Sequence, residues 1–153
     1  MASEDARDVA AVADAEKVIE SMHAALEAFV VGNPQPAVNL FSRAEDVTLG
    51  NPFGPFVRGE DGVADAVTRA ATHYRDGEIV GFERIATYSS AELACFVEVE
   101  RYRAKIGGSD EMSPVALRVS TVVRREADGW WIASRHADPI TGPRAAESVI
   151  GGR

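Results

Sequence analysis

His136 and Asp138 are the residues best suited, by type and spacing, to acid–base chemistry. They lie two positions apart near the end of the last predicted strand. Because side chains alternate between the faces of a strand, both are predicted to share a face with Trp130, Ile132 and Ser134. An imidazole and a carboxylate at a pocket rim can move a proton to or from a ligand. The alternative is structural: His136 bonds to a neighbouring strand and Asp138 caps the strand end.

Three further polar residues lie within predicted apolar strands and are candidates for binding a ligand. Arg118 is either an anion-binding residue of a pocket or part of an interface or salt bridge, since a guanidinium among apolar neighbours needs a partner. Glu98 is either paired with Arg118 across a hairpin or an acid of the pocket. Tyr102 is either a phenol donor to a ligand oxyanion or an interface residue.

A short segment rich in Pro and Gly carries two phenylalanines, Phe53 and Phe56. A loop with two aromatic side chains is predicted to line or cover a pocket. Asn51 immediately precedes this loop, where its amide would meet a ligand at the pocket mouth. Asn before Pro is also a common turn initiator, so a purely local role is the alternative.

Composition and charge narrow the class of protein. The net charge of −8 disfavours nucleic acid as a partner, because an acidic chain repels phosphates. The single cysteine, Cys95, excludes an internal disulfide. The sequence has neither a metal-binding spacing of His, Asp and Glu nor a glycine-rich nucleotide loop. We therefore expect no metal and no cofactor. The sequence shows no apolar run that would span a bilayer and no signal peptide, so we expect no membrane partner and a cytoplasmic location.

The first half of the chain has the apolar spacing of helices. Three helices are predicted, at about residues 15–30, 36–42 and 59–74, with one short strand at 46–51. Gly32-Asn33-Pro34 ends the first helix, and Arg75-Asp76-Gly77 is predicted to end the third.

The second half of the chain has the pattern of strands. Four segments alternate or run apolar and β-branched, and short turns connect them: 78–88, 93–105, 115–125 and 130–138. Short connections indicate antiparallel hairpins, since a parallel return needs a long crossover. Helices followed by a meander predict an α+β fold, with three N-terminal helices packed in the concave face of a strongly curved antiparallel sheet.

Several segments resemble the SnoaL-like proteins. They are Val47-Thr48-Leu49, Gly54-Pro55-Phe56-Val57-Arg58-Gly59 and Tyr74-Arg75-Asp76-Gly77-Glu78, together with 117–124 and 129–139. These proteins belong to the nuclear transport factor 2-like superfamily, whose fold is a cystatin-like α+β cone. The resemblance covers about residues 15–139. The closing strand of such proteins often has a histidine where this chain has Ser134, so a mechanism with a histidine pair is not implied.

The resemblance implies two kinds of function. One is a small-molecule-binding protein, with or without cofactor-free isomerase, cyclase or dehydratase activity on an apolar carbonyl compound. The other is a non-catalytic ligand-binding, dimerisation or assembly module. The ligand is expected in the cone and is small and apolar or carboxylate-bearing. Whether the chain is an enzyme stays open at this point.

The sequence also predicts the limits of the domain and its state of assembly. Residues 1–14 are predicted as a flexible or helical extension, 15–139 as the cone domain and 140–153 as a tail. Both faces of the strands are apolar, as where Val97 and Val99 lie on the face opposite to Phe96. Because an apolar outer face must be covered, and members of the superfamily commonly cover it with a partner, we expect a homodimer.

Overall fold

A computed structural model describes residues 3–151 as three helices and a sheet. The helices are α1 (Glu4–Phe29), α2 (Gln35–Val38) and α3 (Glu60–Ala71). The strands are β1 (Thr48–Asn51), β2 (Gly54–Arg58), β3 (Tyr74–Ser89), β4 (Leu93–Ile106), β5 (Met112–Glu126) and β6 (Gly129–Asp138). A single 3-10 turn, Ala146–Val149, follows in the described part of the C-terminal segment.

The six strands form one mixed sheet in the order β2-β1-β6-β5-β4-β3. Strands β3 to β6 form the predicted antiparallel meander. The prediction of a wholly antiparallel sheet is wrong in one pairing, because β1 lies parallel to β6. β1 follows α2 in the chain and lies beside β6, and the two strands run in the same direction. The predicted α+β cone, with the helices against one face of the sheet, is confirmed.

The core lies between α1 and the concave face of the sheet. The buried side chains of α1 recur at helical spacing and pack on buried strand residues. The central ones are Ala15, Ile19, Met22 and Leu26 on α1, with Phe96 and Ile132 on the sheet. Helix α3 adds Val63 and Val67 to the same cluster. Burial of this apolar stripe fixes α1 along the sheet and leaves its polar face outside.

The third helix is shorter than predicted. It ends at Ala71, and Tyr74 begins β3 although its apolar side chain fits the helical spacing. The predicted stop, residues 75–77, lies inside β3 at a bulge where Asp76 has a φ of 53°. Gly77 donates its N–H to the Val30 carbonyl, and a Cβ on Gly77 would lie 2.5 Å from that oxygen. The close approach of the end of α1 requires glycine at this position.

The aromatic loop is also shorter than predicted. A tight turn at Pro52 and Phe53 joins β1 to β2, so Phe56 belongs to a strand rather than to a loop. At the N-terminus, α1 begins at Glu4, and the Ser3 side chain accepts a hydrogen bond from the Ala6 N–H. The first two and last two residues of the predicted terminal segments lie outside the described residues. None of the helices among residues 3–151 is long and apolar enough to cross a membrane.

Candidate functional site

A β-bulge in β6 decides which side chains enter the cone. Ser134 pairs with Val122 and Ile132 pairs with Val123, so Ala133 is the extra residue of the bulge. The alternation of side chains reverses at this point. Arg135 is therefore buried on the helix-facing side of the sheet, and the side chain of His136 is 50% exposed on the other side. The predicted common face of Ile132, His136 and Asp138, with Trp130 and Ser134, is wrong for this reason.

The concave side of the sheet encloses a cavity of about 50 Å³. Most of its wall is apolar and comes from α1, α2, α3 and the strands, including Met22, Leu26 and Phe29. Four polar side chains among the described residues line the cavity: Asn51, and three buried residues that we call the polar wall, Tyr74, Tyr102 and Arg135. A small number of polar groups in an apolar cavity is the usual composition of a ligand site.

Arg135 is held by Glu100 in an ion pair with two parallel hydrogen bonds. Its Nη1 and Nη2 donate to the two carboxylate oxygens at 2.9 and 2.7 Å. Both side chains are buried. Burial lowers the pKa of Arg135, but the charge and hydrogen bonds of Glu100 more than offset this and raise it overall. Arg135 is therefore charged, and Glu100 neutralises it within the protein.

Tyr74 and Tyr102 form a hydrogen-bonded pair. Their hydroxyl oxygens are 3.1 Å apart, and both residues are buried. Burial raises the pKa of both phenols, so they remain protonated at physiological pH. Two hydroxyl groups carry two protons, and the bond between them uses only one. The second proton is available to an acceptor in the cavity.

Asn51 and Phe53 line the mouth of the cavity, where the turn between β1 and β2 lies. The Asn51 side chain accepts a hydrogen bond from the Phe53 N–H at 2.9 Å and so holds the turn. Phe53 is 45% exposed, and its ring centroid lies 5.7 Å from that of Tyr74. Phe53 thus stands between the polar wall and solvent.

His136, Asp138 and Arg118 come together on the outer face of the sheet, away from the cavity. Arg118 Nε donates to Asp138 at 2.7 Å, and His136 Nε2 lies 3.3 Å from the other carboxylate oxygen. Burial raises the pKa of Asp138, but Arg118 and the Ile140 N–H outweigh it and lower the pKa overall. The expected position of these three residues at a pocket is thereby corrected.

Glu98 faces the inside of the cone but pairs with residues other than Arg118. Its carboxylate contacts His23 Nε2 at 2.8 Å and accepts from Arg84 Nε at 3.1 Å. Arg84 also binds Glu16 through two hydrogen bonds. The predicted pair with Arg118 is wrong because the two side chains lie on opposite faces of adjacent strands. Glu98 joins α1 to the sheet.

Phe56 lies on the outer face as well. It is 62% exposed on β2, and its ring centroid lies 5.3 Å from that of His136. A Cβ on Gly50 would lie 2.8 Å from this ring, so glycine in β1 makes room for it. The expectation that Phe56 lines the pocket is corrected, whereas Phe53, Asn51 and Tyr102 do line the cavity.

The sequence analysis missed Arg135, Glu100 and Tyr74. Strict alternation placed Arg135 on the wrong face, because nothing in the residue types of β6 marks the bulge. Glu100 carried a usable signal: it shares a strand face with Phe96 and Tyr102, both of which are buried. A carboxylate in that position requires a buried cation nearby.

Solved structures share this fold at low sequence identity. A ketosteroid isomerase-like protein from Erwinia carotovora atroseptica superposes with a TM-score of 0.70 at 17% identity, covering 85% of this chain and 96% of that chain. A nuclear transport factor 2-like superfamily protein from Salmonella enterica matches with a TM-score of 0.66 at 17% identity, covering 90% and 96%. A domain of unknown function with a cystatin-like fold from Nostoc punctiforme matches with a TM-score of 0.63 at 20% identity, covering 89% and 81%.

The comparisons establish the fold. No protein-family model matches the sequence, and no curated protein does either. The cystatin-like α+β cone that the resemblance implied is confirmed as the fold of this chain. The identities are too low to carry an activity from those proteins to this chain.

Proposed function

We propose that this protein binds a small molecule whose neutral carbonyl group lies inside the cone. The observation that carries the proposal is the Tyr74–Tyr102 pair, which has one hydroxyl proton to spare beside an apolar cavity. A buried hydroxyl donor without an acceptor is destabilising, and a ligand acceptor that forms a hydrogen bond with it removes this cost. A carbonyl group satisfies it while the rest of the ligand contacts the apolar wall.

The ion pair behind the cavity favours a neutral group at this position. Among the described residues that line the cavity, Arg135 is the one that carries a charge. Glu100 already neutralises it through two hydrogen bonds. A carboxylate placed inside the cone would lose its hydration without gaining a free cation. A ketone or aldehyde oxygen carries no charge, so it loses less hydration, and a hydrogen bond from the phenol pair offsets that loss.

The size of the cavity limits the group that enters it. Its volume of about 50 Å³ is far below the ~300–1,000 Å³ typical of drug-sized ligands. A group of a few heavy atoms fits, whereas a polycyclic compound would need the turn at Phe53 to move outward. We therefore propose a small carbonyl head group rather than a ring system.

Cofactor-free isomerisation, cyclisation or dehydration is the second candidate function. The specific observation in its favour is again the phenol pair, because hydroxyl donors in an apolar site stabilise an oxyanion as it forms. One structure with the same fold is named ketosteroid isomerase-like. Proton abstraction also needs a base, and the described lining of the cavity contains no carboxylate. Glu100 accepts both of its hydrogen bonds from Arg135, and His136 and Asp138 face outward. Binding without turnover is therefore the first proposal.

The test pairs each ligand and each variant with a matched control. Small ketones are titrated beside alkenes of the same shape, in which a methylene group replaces the oxygen. We expect the ketone to bind about tenfold more tightly, equivalent to ~1.4 kcal/mol. A double Tyr74→Phe/Tyr102→Phe variant should lose this preference, and Tyr88→Phe, which removes an exposed hydroxyl, should keep it. Equal affinity for ketone and alkene in the unmodified protein would refute the proposal.

A second measurement separates binding from turnover. Bound ketone is incubated in deuterated water, and exchange of its α-hydrogens is followed by NMR. Exchange that exceeds the uncatalysed rate and disappears in the double tyrosine variant would support the second candidate. Binding without such exchange would support the first.

We also propose a homodimer in the cytoplasm. A half-buried apolar strip lies on the outer face of the sheet, and a second copy of the chain would cover this strip. It consists of Cys95, Val97, Val99 and Val122. The free thiol of Cys95 is consistent with a reducing compartment. Light scattering at high micromolar concentration tests the assembly, and a monomer there would exclude the dimer.

A further inference from the structure

A second recess opens beside the mouth of the cone. It lies between the β1–β2 hairpin and α3, has a volume of about 190 Å³, and is called here the mouth groove. Asn51, Phe53 and Ala70 line both the mouth groove and the inner cavity. Because three residues are shared, the two spaces are neighbours, and the side chain of Phe53 belongs to the wall of both.

Adjacent residues of the chain serve the two spaces. Tyr74 belongs to the polar wall of the cavity, whereas His73 lines the mouth groove. The Phe53 ring lies between them, with its centroid 4.6 Å from that of His73 and 5.7 Å from that of Tyr74. A ligand that contacts the Tyr74 hydroxyl and extends past Phe53 toward solvent would come near His73.

The mouth groove is basic although the protein is acidic. Arg69 on α3 and His73, two residues beyond the end of this helix, both line the groove, and both are exposed. Among the described residues, the lining of the groove includes no acidic side chain, although the net charge of the chain is −8. A guanidinium fork and an imidazole N–H in the lining of one recess suit an anionic oxygen group.

We infer that the ligand has two parts: a neutral carbonyl head, which the Tyr74–Tyr102 pair binds in the cone, and an anionic tail group that Arg69 and His73 bind in the mouth groove. The tail group is a carboxylate or a phosphate, since both offer the same oxygens to the guanidinium. This inference rests on the proposed function for the head group. The tail group stays at the surface, where an anion keeps much of its hydration and gains the guanidinium of Arg69, which forms no ion pair with any carboxylate among residues 3–151.

The probes are methyl ketones with a terminal carboxylate, whose chain is lengthened one carbon at a time. Each is compared by calorimetry with its methyl ester, and the best length is then tested with a terminal phosphate. We expect one chain length to bind best, because the distance from the phenol pair to the groove is fixed. At that length the acid should bind about fivefold more tightly than its ester, with the preference decreasing as salt is added. If the phosphate compound binds more tightly than the carboxylate compound, the tail group is a phosphate. If the carboxylate compound binds more tightly, the tail group is a carboxylate.

The variants separate this inference from the proposed function. Arg69→Gln/His73→Gln should abolish the preference for the acid and leave the affinity for the ester within about twofold. Arg7→Gln is the matched control, since Arg7 is exposed on α1 about four turns before Met22 of the cavity. If the ester binds through the tyrosine pair but the acid is no tighter, or if the groove variant matches Arg7→Gln, the inference is overturned and the proposed function stands. If no compound of either series binds, both are overturned.

Discussion

Arg135 and Glu100 form a buried ion pair whose two hydrogen bonds lie directly behind the cavity of the cone. The pair is neutral as a whole, so it presents the cavity with a fixed dipole rather than a net charge. It also links the centre of β4 to the end of β6, with β5 between them. The polar wall therefore depends on this pair for its geometry as well as for its charge balance.

Removal of one partner is expected to be costly. Glu100→Gln would leave the Arg135 guanidinium buried with no compensating charge, and we expect the free energy of unfolding to fall by about 3–5 kcal/mol. Urea denaturation at neutral pH measures the change. The double variant Glu100→Leu/Arg135→Met removes both charges and is expected to recover most of the lost stability. A loss below ~1 kcal/mol in Glu100→Gln would show that the pair contributes little.

The sequence predicted the architecture of this protein well because its helices and strands have regular periods. The stripe of α1 and the four strands of the meander follow directly from apolar spacing and turn residues. The errors occur where one residue breaks a period. Ala133 is such a residue in β6, and the bend at Gly77 in β3 is another. Neither position differs in residue type from an ordinary strand or turn.

The candidate site was harder to predict than the fold. β6 does carry a polar residue into the cone, as predicted. Because of the bulge, that residue is Arg135 rather than His136. Tyr74 was assigned to the buried stripe of a helix because an apolar side chain at the end of α3 satisfies both patterns. Tyr102, by contrast, lies on a strand without a bulge, and strict alternation placed it on the same face as Phe96 and Glu98. The face on which such a side chain lies depends on how strands far apart in the sequence pair with each other. A single sequence does not give these pairings.

Acid should weaken the contact between α1 and the sheet. Burial raises the pKa of Glu98, but His23 and Arg84 outweigh it and lower the pKa below its ordinary value of 4.5. The carboxylate thus binds protons more weakly in the folded state than in the unfolded state. Its contribution to stability is present above pH 4.5 and decreases as the pH falls through that value toward the folded pKa.

The measurement is melting temperature against pH for the unmodified protein and Glu98→Gln. We expect the variant to be less stable at neutral pH and to show a shallower decrease in acid. Glu83→Gln is the matched control, because Glu83 is an exposed strand carboxylate paired with exposed Arg101. Parallel acid profiles for the unmodified protein and Glu98→Gln would contradict the assignment.

Gly77→Ala is expected to strain the junction of α1 and β3. The added Cβ would lie 2.5 Å from both the carbonyl oxygen and the Cβ of Val30, which are parts of the backbone and its first side-chain atom. They cannot rotate away, so we expect a loss of about 1–3 kcal/mol. Gly81→Ala in the same strand is the control, because a Cβ there has no described atom within 4 Å. Chemical denaturation of both variants should show a loss confined to Gly77→Ala.

Asp138→Asn tests the orientation of β6. On the outer face, Asp138 pairs with Arg118, whose side chain is 57% exposed, so loss of the charge should lower the free energy of unfolding by no more than about 1 kcal/mol. Binding of small ketones should be unchanged, because the carboxylate faces away from the cavity. The double Tyr74→Phe/Tyr102→Phe variant should also keep nearly all of its stability but, unlike Asp138→Asn, should lose the preference for ketone. A large decrease in ketone affinity for Asp138→Asn, with the fold intact by circular dichroism, would place this carboxylate in the site and contradict the bulge at Ala133.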